Sequence, residues 1–354
     1  MPRNDEQGQF VAFNGGVTAV GNPGARTFYV GASGWTAAPD GIAPSDSNNG
    51  TSPQTPYASI QTGLDACTAG RGDVVALLPG NYTVTAAITM SKDDVTLRSA
   101  TPVGRRQRSP VIIVNATDVN TVEVNANNVT VEGIQFDDNV ATATAATAVI
   151  AVNTASTGVD YTGTVIRNCY LDMLGSDSDR DGIALGLTAD ADDGAIQSLV
   201  EGCTILDPDN CGVIINVGSD YSVVRDCHIY DMVNLGLYGV EVLAAQCSIE
   251  DCDILVSDTA GPGACIHNGL AASLMTATGN NLHAWGADGT AILVIATATQ
   301  RTADNFVTAT ATGNGIDYVG DNTTPSADAF AEAFYAADPG TAVLSQSTDD
   351  GADA

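Results

Sequence analysis

The sequence predicts an all-β chain: a solenoid of stacked parallel coils, or parallel β-helix, closed by a short helix at each end. Three observations predict it. Short windows rich in β-branched residues recur along the chain. The steps between them are the length of one solenoid coil, with no helical periodicity in between. Residues at aligned positions of the windows form chemically consistent columns.

The windows start with Val95–Ala100 (VTLRSA) and Val129–Ile134 (VTVEGI). They continue with TVIRNCYL, which ends at Leu171, then Val200–Ile205 (VEGCTI), Val224–Ile229 (VRDCHI) and Ile249–Ile254 (IEDCDI). Weaker copies are Ala277–Leu282 and Thr302–Val307. One position reads Ala100, Ile134, Cys169, Cys203, Cys227, Cys252, Asn280 and Asn305, in steps of 34, 35, 34, 24, 25, 28 and 25 residues. A Gly-led strand follows most windows, at Gly182, Gly212, Gly236, Gly289 and Gly315. Coils of this length stack at the ~4.8 Å spacing of paired strands.

The columns support the register. The position before the Cys column reads Ser99, Gly133, Asn168, Gly202, Asp226, Asp251, Gly279 and Asp304. Gly, Asn and Asp tolerate a left-handed backbone at a tight turn. One position earlier the column reads Arg98, Glu132, Arg167, Glu201, Arg225 and Glu250. Alternation turns a stack of repelling like charges into a ladder of ion pairs, so these six residues are expected to form one outward column. The Cys column itself is expected to be buried, because unreactive Cys behaves as a small hydrophobe.

The ends read as caps and arms. Pro56–Ala69 is a short helix with Pro56 in its first turn and Tyr57, Ile60, Leu64 and Cys67 on one face. Pro325–Ala337 is a second helix, with Ala329, Phe330, Ala333 and Phe334 on its apolar side and Asp338-Pro-Gly340 stopping it. The expected organisation is an N-terminal arm (1–26), an N-terminal cap with the short helix (27–72), the parallel β-helix (73–320) and a C-terminal cap helix with tail (321–354).

Composition narrows the function. The chain has 354 residues, long enough to bury a core without staples. It carries 42 Asp plus Glu against 12 Lys plus Arg, a formal charge of −30, and Lys92 is its only Lys. Such acidity excludes most nucleic-acid binders and argues against anionic membranes. It suits a soluble protein used at high salt, or one that takes up divalent cations. Residues 1–13 lack the apolar stretch of a secretory signal. No CxxC motif and no paired His occurs, so a transition-metal site is not expected.

The windows VTVEGIQF, VIRNCYL and VRDCHIY, each followed by a Gly-led strand, resemble the right-handed parallel β-helix of the pectate-lyase-like superfamily. The entry Phe28-Tyr-Val, Asp46–Pro53, Pro56–Ile60 and Gly72–Thr83 is similar to the start of that family, and the likeness spans about 27–320. The resemblance implies the fold but no single activity, since the superfamily includes lyases, hydrolases, esterases, epimerases and structural viral proteins. It also implies that any catalysis would use Asp pairs, Arg or Lys, and sometimes His, on the outer face of the strands. The polygalacturonase and pectate-lyase signatures are not found. The candidates on these terms are Asp226 with Asp251 and His228 with Asp253. Asp226 and Asp251 equally suit turn chemistry.

Asp177, Asp179 and Asp181, followed by Gly182, match the front of a calcium loop, in which alternate carboxylates converge on one hard cation. The twelfth position is Thr188 instead of Glu, and Asp190, Asp192 and Asp193 are near enough in sequence to complete a site. Ca²⁺ is therefore the expected cofactor, with a solvated acidic turn as the alternative. Arg71-Gly-Asp73 matches an adhesion tripeptide but precedes a strand. Arg105-Arg106-Gln-Arg108 reads as a surface or subunit contact.

These readings converge on a structural or adhesive virion surface protein, such as a decoration, spike or fibre component, anchored through residues 1–26. The expected partners are other virion proteins, further copies of itself (a trimer among the options) and a glycan. Nucleic acid and membrane are not expected. The alternatives are a carbohydrate-active enzyme, a lyase or hydrolase, and a bacterial surface protein.

Overall fold

A computed structural model describes residues 24–35, 42–101, 110–114, 119–138, 147–154, 158–173, 180–186, 194–232, 238–256, 264–269, 274–284, 290–295, 299–309, 314–319 and 334–335. Among the described residues, two ten-stranded sheets and one nine-stranded sheet each take one strand from successive coils, and a two-stranded sheet pairs Tyr161–Thr162 with Ala195–Ile196. The strands pair in parallel throughout these sheets, as in Val165–Arg167 against both Thr130–Glu132 and Leu199–Glu201. Each sequence window therefore holds two strands rather than one. Val165–Arg167 lies in the first sheet, Tyr170–Asp172 in the second, and Arg180–Leu185 in the third.

The corner between the first two sheets is the residue before the Cys column. Gly133, Asn168, Gly202, Asp226, Asp251, Gly279 and Asp304 have φ of 66°, 53°, 62°, 52°, 52°, 69° and 55°. That conformation is open to Gly and tolerated by Asn and Asp. Asp226 and Asp251 are thus turn residues. A second left-handed corner, on the other side of the first sheet, keeps that signature in its first three members and loses it in the last three. Its members are Asp94, Asn128, Gly163, Gln197, Tyr221 and Gln246.

Between the corners the first sheet alternates strictly. Leu97, Val131, Ile166, Val200, Val224 and Ile249 point inward and are fully buried. Each contributes on the order of 1.5–3 kcal/mol by leaving water. Arg98, Glu132, Arg167, Glu201, Arg225 and Glu250 occupy paired positions on successive strands, as the alternation predicts. Arg167 pairs with Glu132 at 3.1 Å and Arg225 with Glu201 at 2.6 Å.

Past the corner, Cys169, Cys203, Cys227 and Cys252 are buried free thiols. Each donates to the carbonyl two residues earlier, at 3.2–3.5 Å. Asn280 and Asn305 continue the column. Asn280 Nδ2 donates to Ile249 O at 3.0 Å, Asn305 Nδ2 to Ala277 O at 2.8 Å, and Cys252 N donates to Asn280 Oδ1 at 2.9 Å. The column thus moves from apolar to amide side chains without leaving a buried amide unbonded.

The third sheet needs glycine where its inner face meets the second. A Cβ on Gly212 would lie 2.7 Å from Ile229 Cγ2 and 2.6 Å from the Gly239 carbonyl oxygen, and one on Gly239 would lie 2.4 Å from Ile254 Cγ2. The glycine of that coil is therefore Gly239, not Gly236, which lies outside the described residues.

The N-terminal helix begins later than the sequence suggests. The helix spans Ile60–Ala66, with Ser59 Oγ accepting from Thr62 N at 3.1 Å. Tyr57 is held instead as a bridge to Val30. Lys92, the only Lys, donates to Asp65 O at 2.6 Å and Cys67 O at 2.8 Å, closing the helix C-terminus. Strand pairing begins at Thr27–Val30, against Val74–Leu77. Of the expected C-terminal helix only Phe334 and Tyr335 are described, and they form a two-residue strand on Phe306–Val307. Both expected arms fall largely outside the described residues.

Arg71-Gly-Asp73 is structural. Asp73 is fully buried, ion-paired to Arg71 and accepts from the backbone N–H groups of Thr68 and Arg26. Burial opposes ionisation of its carboxyl, but these donors hold it below the usual carboxylate range.

Gly212→Ala is expected to destabilise the chain by about 1–3 kcal/mol, because its methyl group must displace Ile229 or the neighbouring backbone. Urea unfolding monitored by circular dichroism checks this; an unchanged midpoint contradicts the close approach of the second and third sheets.

Candidate functional site

Outward residues of the second sheet stand in two adjacent columns. One runs Gln135, Tyr170, Thr204, His228, Asp253, Asn281 and Phe306. The other includes Asp137, Asp172, Leu206 and Tyr230 on successive coils, and His283 two coils further on. The hydrogen-bonded core of this face is built on Asp253. Its Oδ2 accepts from Tyr230 OH at 2.6 Å and its Oδ1 from Asn281 Nδ2 at 3.1 Å. Tyr230 OH also lies 2.7 Å from His228 Nδ1. His283 Nε2 is 3.7 Å from Asp253 Oδ1 on the other side. The side chains of His228, Asp253 and His283 are 31%, 30% and 24% exposed, so the group is both ordered by its neighbours and reachable from solvent. Phe306, 41% exposed, lies edge-on to His283 at 6.5 Å.

Toward the N-terminal end of the same face, Asp137 and Asp172 are paired positions on neighbouring coils. Burial, and then the neighbouring Asp172 charge, raises the Asp137 carboxyl above its ordinary range. A carboxyl biased toward its protonated form, with a second carboxyl beside it, is a candidate general acid.

The third sheet carries a more deeply buried group, and it contains Asp181. Asp181 Oδ1 accepts from Asn210 Nδ2 at 2.8 Å and from Cys211 N at 3.1 Å. The Cys211 thiol donates to Glu241 Oε2 at 3.6 Å, and Glu241 Oε1 lies 3.0 Å from His267 Nδ1. The His267 ring stacks on Tyr238 at 3.9 Å. Burial pushes the Asp181 carboxyl up to about 7, although Cys211 N and Asn210 oppose the rise. Burial and the Asp181 and Glu241 charges also push the Cys211 thiol well up. That thiol is a bridging donor, not an activated nucleophile.

Of the three expected calcium ligands, Asp177 and Asp179 lie outside the described residues. Asp181 fits a cation poorly: it is 8% exposed, committed to Asn210 and Cys211, and disfavoured as an anion. Among the described residues, no three His, Cys, Asp or Glu side chains gather closely enough to hold a metal ion. His228 and Asp253 meet as their register predicts. Tyr230 and Asn281 complete their group, and neither carried a sequence signal beyond its column position.

No protein-family model matches the chain, and no curated protein matches it. Among solved structures, an alginate lyase from Paenibacillus sp. str. FPU-7 is similar at 16% identity and TM-score 0.50, over 74% of this chain and 95% of that one. The fold is the right-handed parallel β-helix. A rhamnogalacturonan lyase is similar at 15% identity and TM-score 0.42, over 80% of this chain and 74% of that one. ORF18 of Geobacillus virus E2 is similar at 12% identity and TM-score 0.34, over 74% of this chain and 58% of that one. At these identities the likeness is one of fold alone.

Asp181 sets a pH dependence. Its folded-state pKa, about 7, lies above the ordinary carboxylate value of 3.8, so the folded chain binds the extra proton between those values. Stability from this group is complete below about pH 4 and declines as pH rises toward 7. Asp181→Asn should flatten that decline. Melting temperatures of both proteins between pH 4 and 7.5 check this; parallel curves contradict it.

Proposed function

We propose that this chain is a structural and adhesive surface protein, a decoration, spike or fibre component of a virion, that meets a glycan through the outer face of the second sheet. The observation that carries this reading is the Tyr230–Asp253–Asn281 group flanked by His228 and His283. Sugar hydroxyls need donors and acceptors held at fixed spacing, with apolar ring surface beside them. Imidazole, phenol, carboxylate and amide groups on three successive coils offer the first, and Phe306 offers the second. Because each side chain is positioned by the next, little ordering entropy is lost on binding. The remaining support is physical. Continuous parallel pairing makes a stiff body, and a charge of −30 favours solubility.

One observation favours a second reading, a carbohydrate-active enzyme. Asp137 is held toward its protonated form beside Asp172, and paired carboxyls of this kind can act as acid and base on a glycosidic bond.

A glycan array, together with an assay for new reducing ends and unsaturated sugars, separates the two. The adhesive reading predicts retention of a glycan, weakened about tenfold or more by Tyr230→Phe or Asp253→Asn, with no product formed. Turnover lost in Asp137→Asn or Asp172→Asn assigns the chain to the enzymes. Binding that is indifferent to Tyr230 and Asp253 contradicts the proposed face. Immunogold labelling of purified particles tests the location, and unlabelled particles contradict it.

A further inference from the structure

We infer that the outer face of the first sheet is a self-complementary interface, on which two copies of this chain pack with their solenoid axes antiparallel. The charge column has six members, strictly alternating from Arg98 at one end to Glu250 at the other. An even, alternating row reverses into its own complement. A two-fold axis lying in the interface, perpendicular to the solenoid axis and between the coils of Arg167 and Glu201, sets Arg98 against Glu250 of the second copy. It likewise sets Glu132 against Arg225 and Arg167 against Glu201. The same operation preserves position along the strand direction, so each column faces itself. A parallel dimer in register sets Arg against Arg and Glu against Glu.

Two independent features fit this axis. Within one chain Glu132 pairs with Arg167 and Glu201 with Arg225, and the two-fold exchanges these pairs. The ends are left over. Among the described residues Arg98 and Glu250 have no ion pair, and the buried Nε and Nη1 of Arg98 have no hydrogen-bond partner. The antiparallel copy brings these two ends together. The neighbouring outward column is also near-palindromic. Val165 and Leu199 flank the axis, Thr130 meets Val223, and Thr96 meets Ser248. All six are half-buried, with the apolar residues at the centre of the patch and hydroxyls at its ends, the arrangement of an interface core and rim. The charge column covers five coil steps, about 24 Å. It holds three Arg and three Glu, a neutral stripe on a chain of charge −30. Two copies repel at long range, and salt screens that repulsion more than it screens contact pairs.

Sedimentation equilibrium at about 0.5 M salt tests the inference, where long-range repulsion is largely screened. The wild-type chain should dimerise. Arg98→Glu and Glu250→Arg should each weaken the dimer at least ~10-fold, since each places like charges together twice per dimer. The double variant Arg98→Glu/Glu250→Arg should restore it, and circular dichroism melts of all four proteins report folding. A short bismaleimide should join copies of a Thr96→Cys/Ser248→Cys variant and leave Thr96→Cys alone unlinked, because the eight native thiols are buried. A monomeric wild type, a double variant no better than either single one, or self-linking of Thr96→Cys overturns the proposal; the last result assigns a parallel pairing.

Discussion

A parallel solenoid stacks only if every coil turns its corner at the same place, and here that corner is one residue with a left-handed backbone. It recurs in seven successive coils, from Gly133 to Asp304. The turn reverses which side of the chain faces inward, so the residue after it enters the core although the strand's alternation has just been broken. That is why Cys169, Cys203, Cys227 and Cys252, and then Asn280 and Asn305, stack inside, while the charged residues immediately before the corner residue stack outside. With the corner fixed, the registers of the first and second sheets follow, and with them the identity of every outward neighbour.

Outward neighbours carry whatever chemistry the molecule has. A column places side chains from different coils about 4.8 Å apart, so groups distant in sequence become contacts. On the first sheet this produces ion pairs, on the second a group of imidazoles, a phenol and a carboxylate, and on the third a chain of hydrogen bonds from Asp181 to His267. Each sheet thus presents a different surface on one scaffold. The single Lys stabilises a helix end, consistent with positive charge being used for internal structure more than for ligand attraction.

Much of the fold was legible because one corner uses Gly, Asn and Asp, whose presence announces the turn. The opposite corner was legible only in part, because Gln197, Tyr221 and Gln246 carry no such signal. Neighbouring coils hold them there: Gln197 N donates to Asp220 O at 2.9 Å and Tyr221 N to Ala245 O at 3.1 Å. The left-handed residue within each window announces a turn, and only the structure shows that this turn is also the boundary between two sheets. The alternating charges fixed the column in advance, and His228 with Asp253 followed from the same register. Glu241 and His267 were not anticipated, because the third sheet's spacing varies with the length of the intervening loops. Asp181 matched a calcium motif by its spacing, yet its place on a buried strand beside Asn210 gives it other partners.

The corner residue is where this account is most exposed to test. Asp226 has φ of 52°, a conformation that glycine adopts freely and a β-branched residue resists. Equilibrium urea unfolding of Asp226→Gly and Asp226→Val measures the constraint directly, since both remove the carboxylate and only one can adopt the turn. The Gly variant should stay within about 0.5 kcal/mol of the wild type, and the Val variant should lose about 1–3 kcal/mol. Equal stability of the two variants would contradict a left-handed corner as the element that stacks the coils.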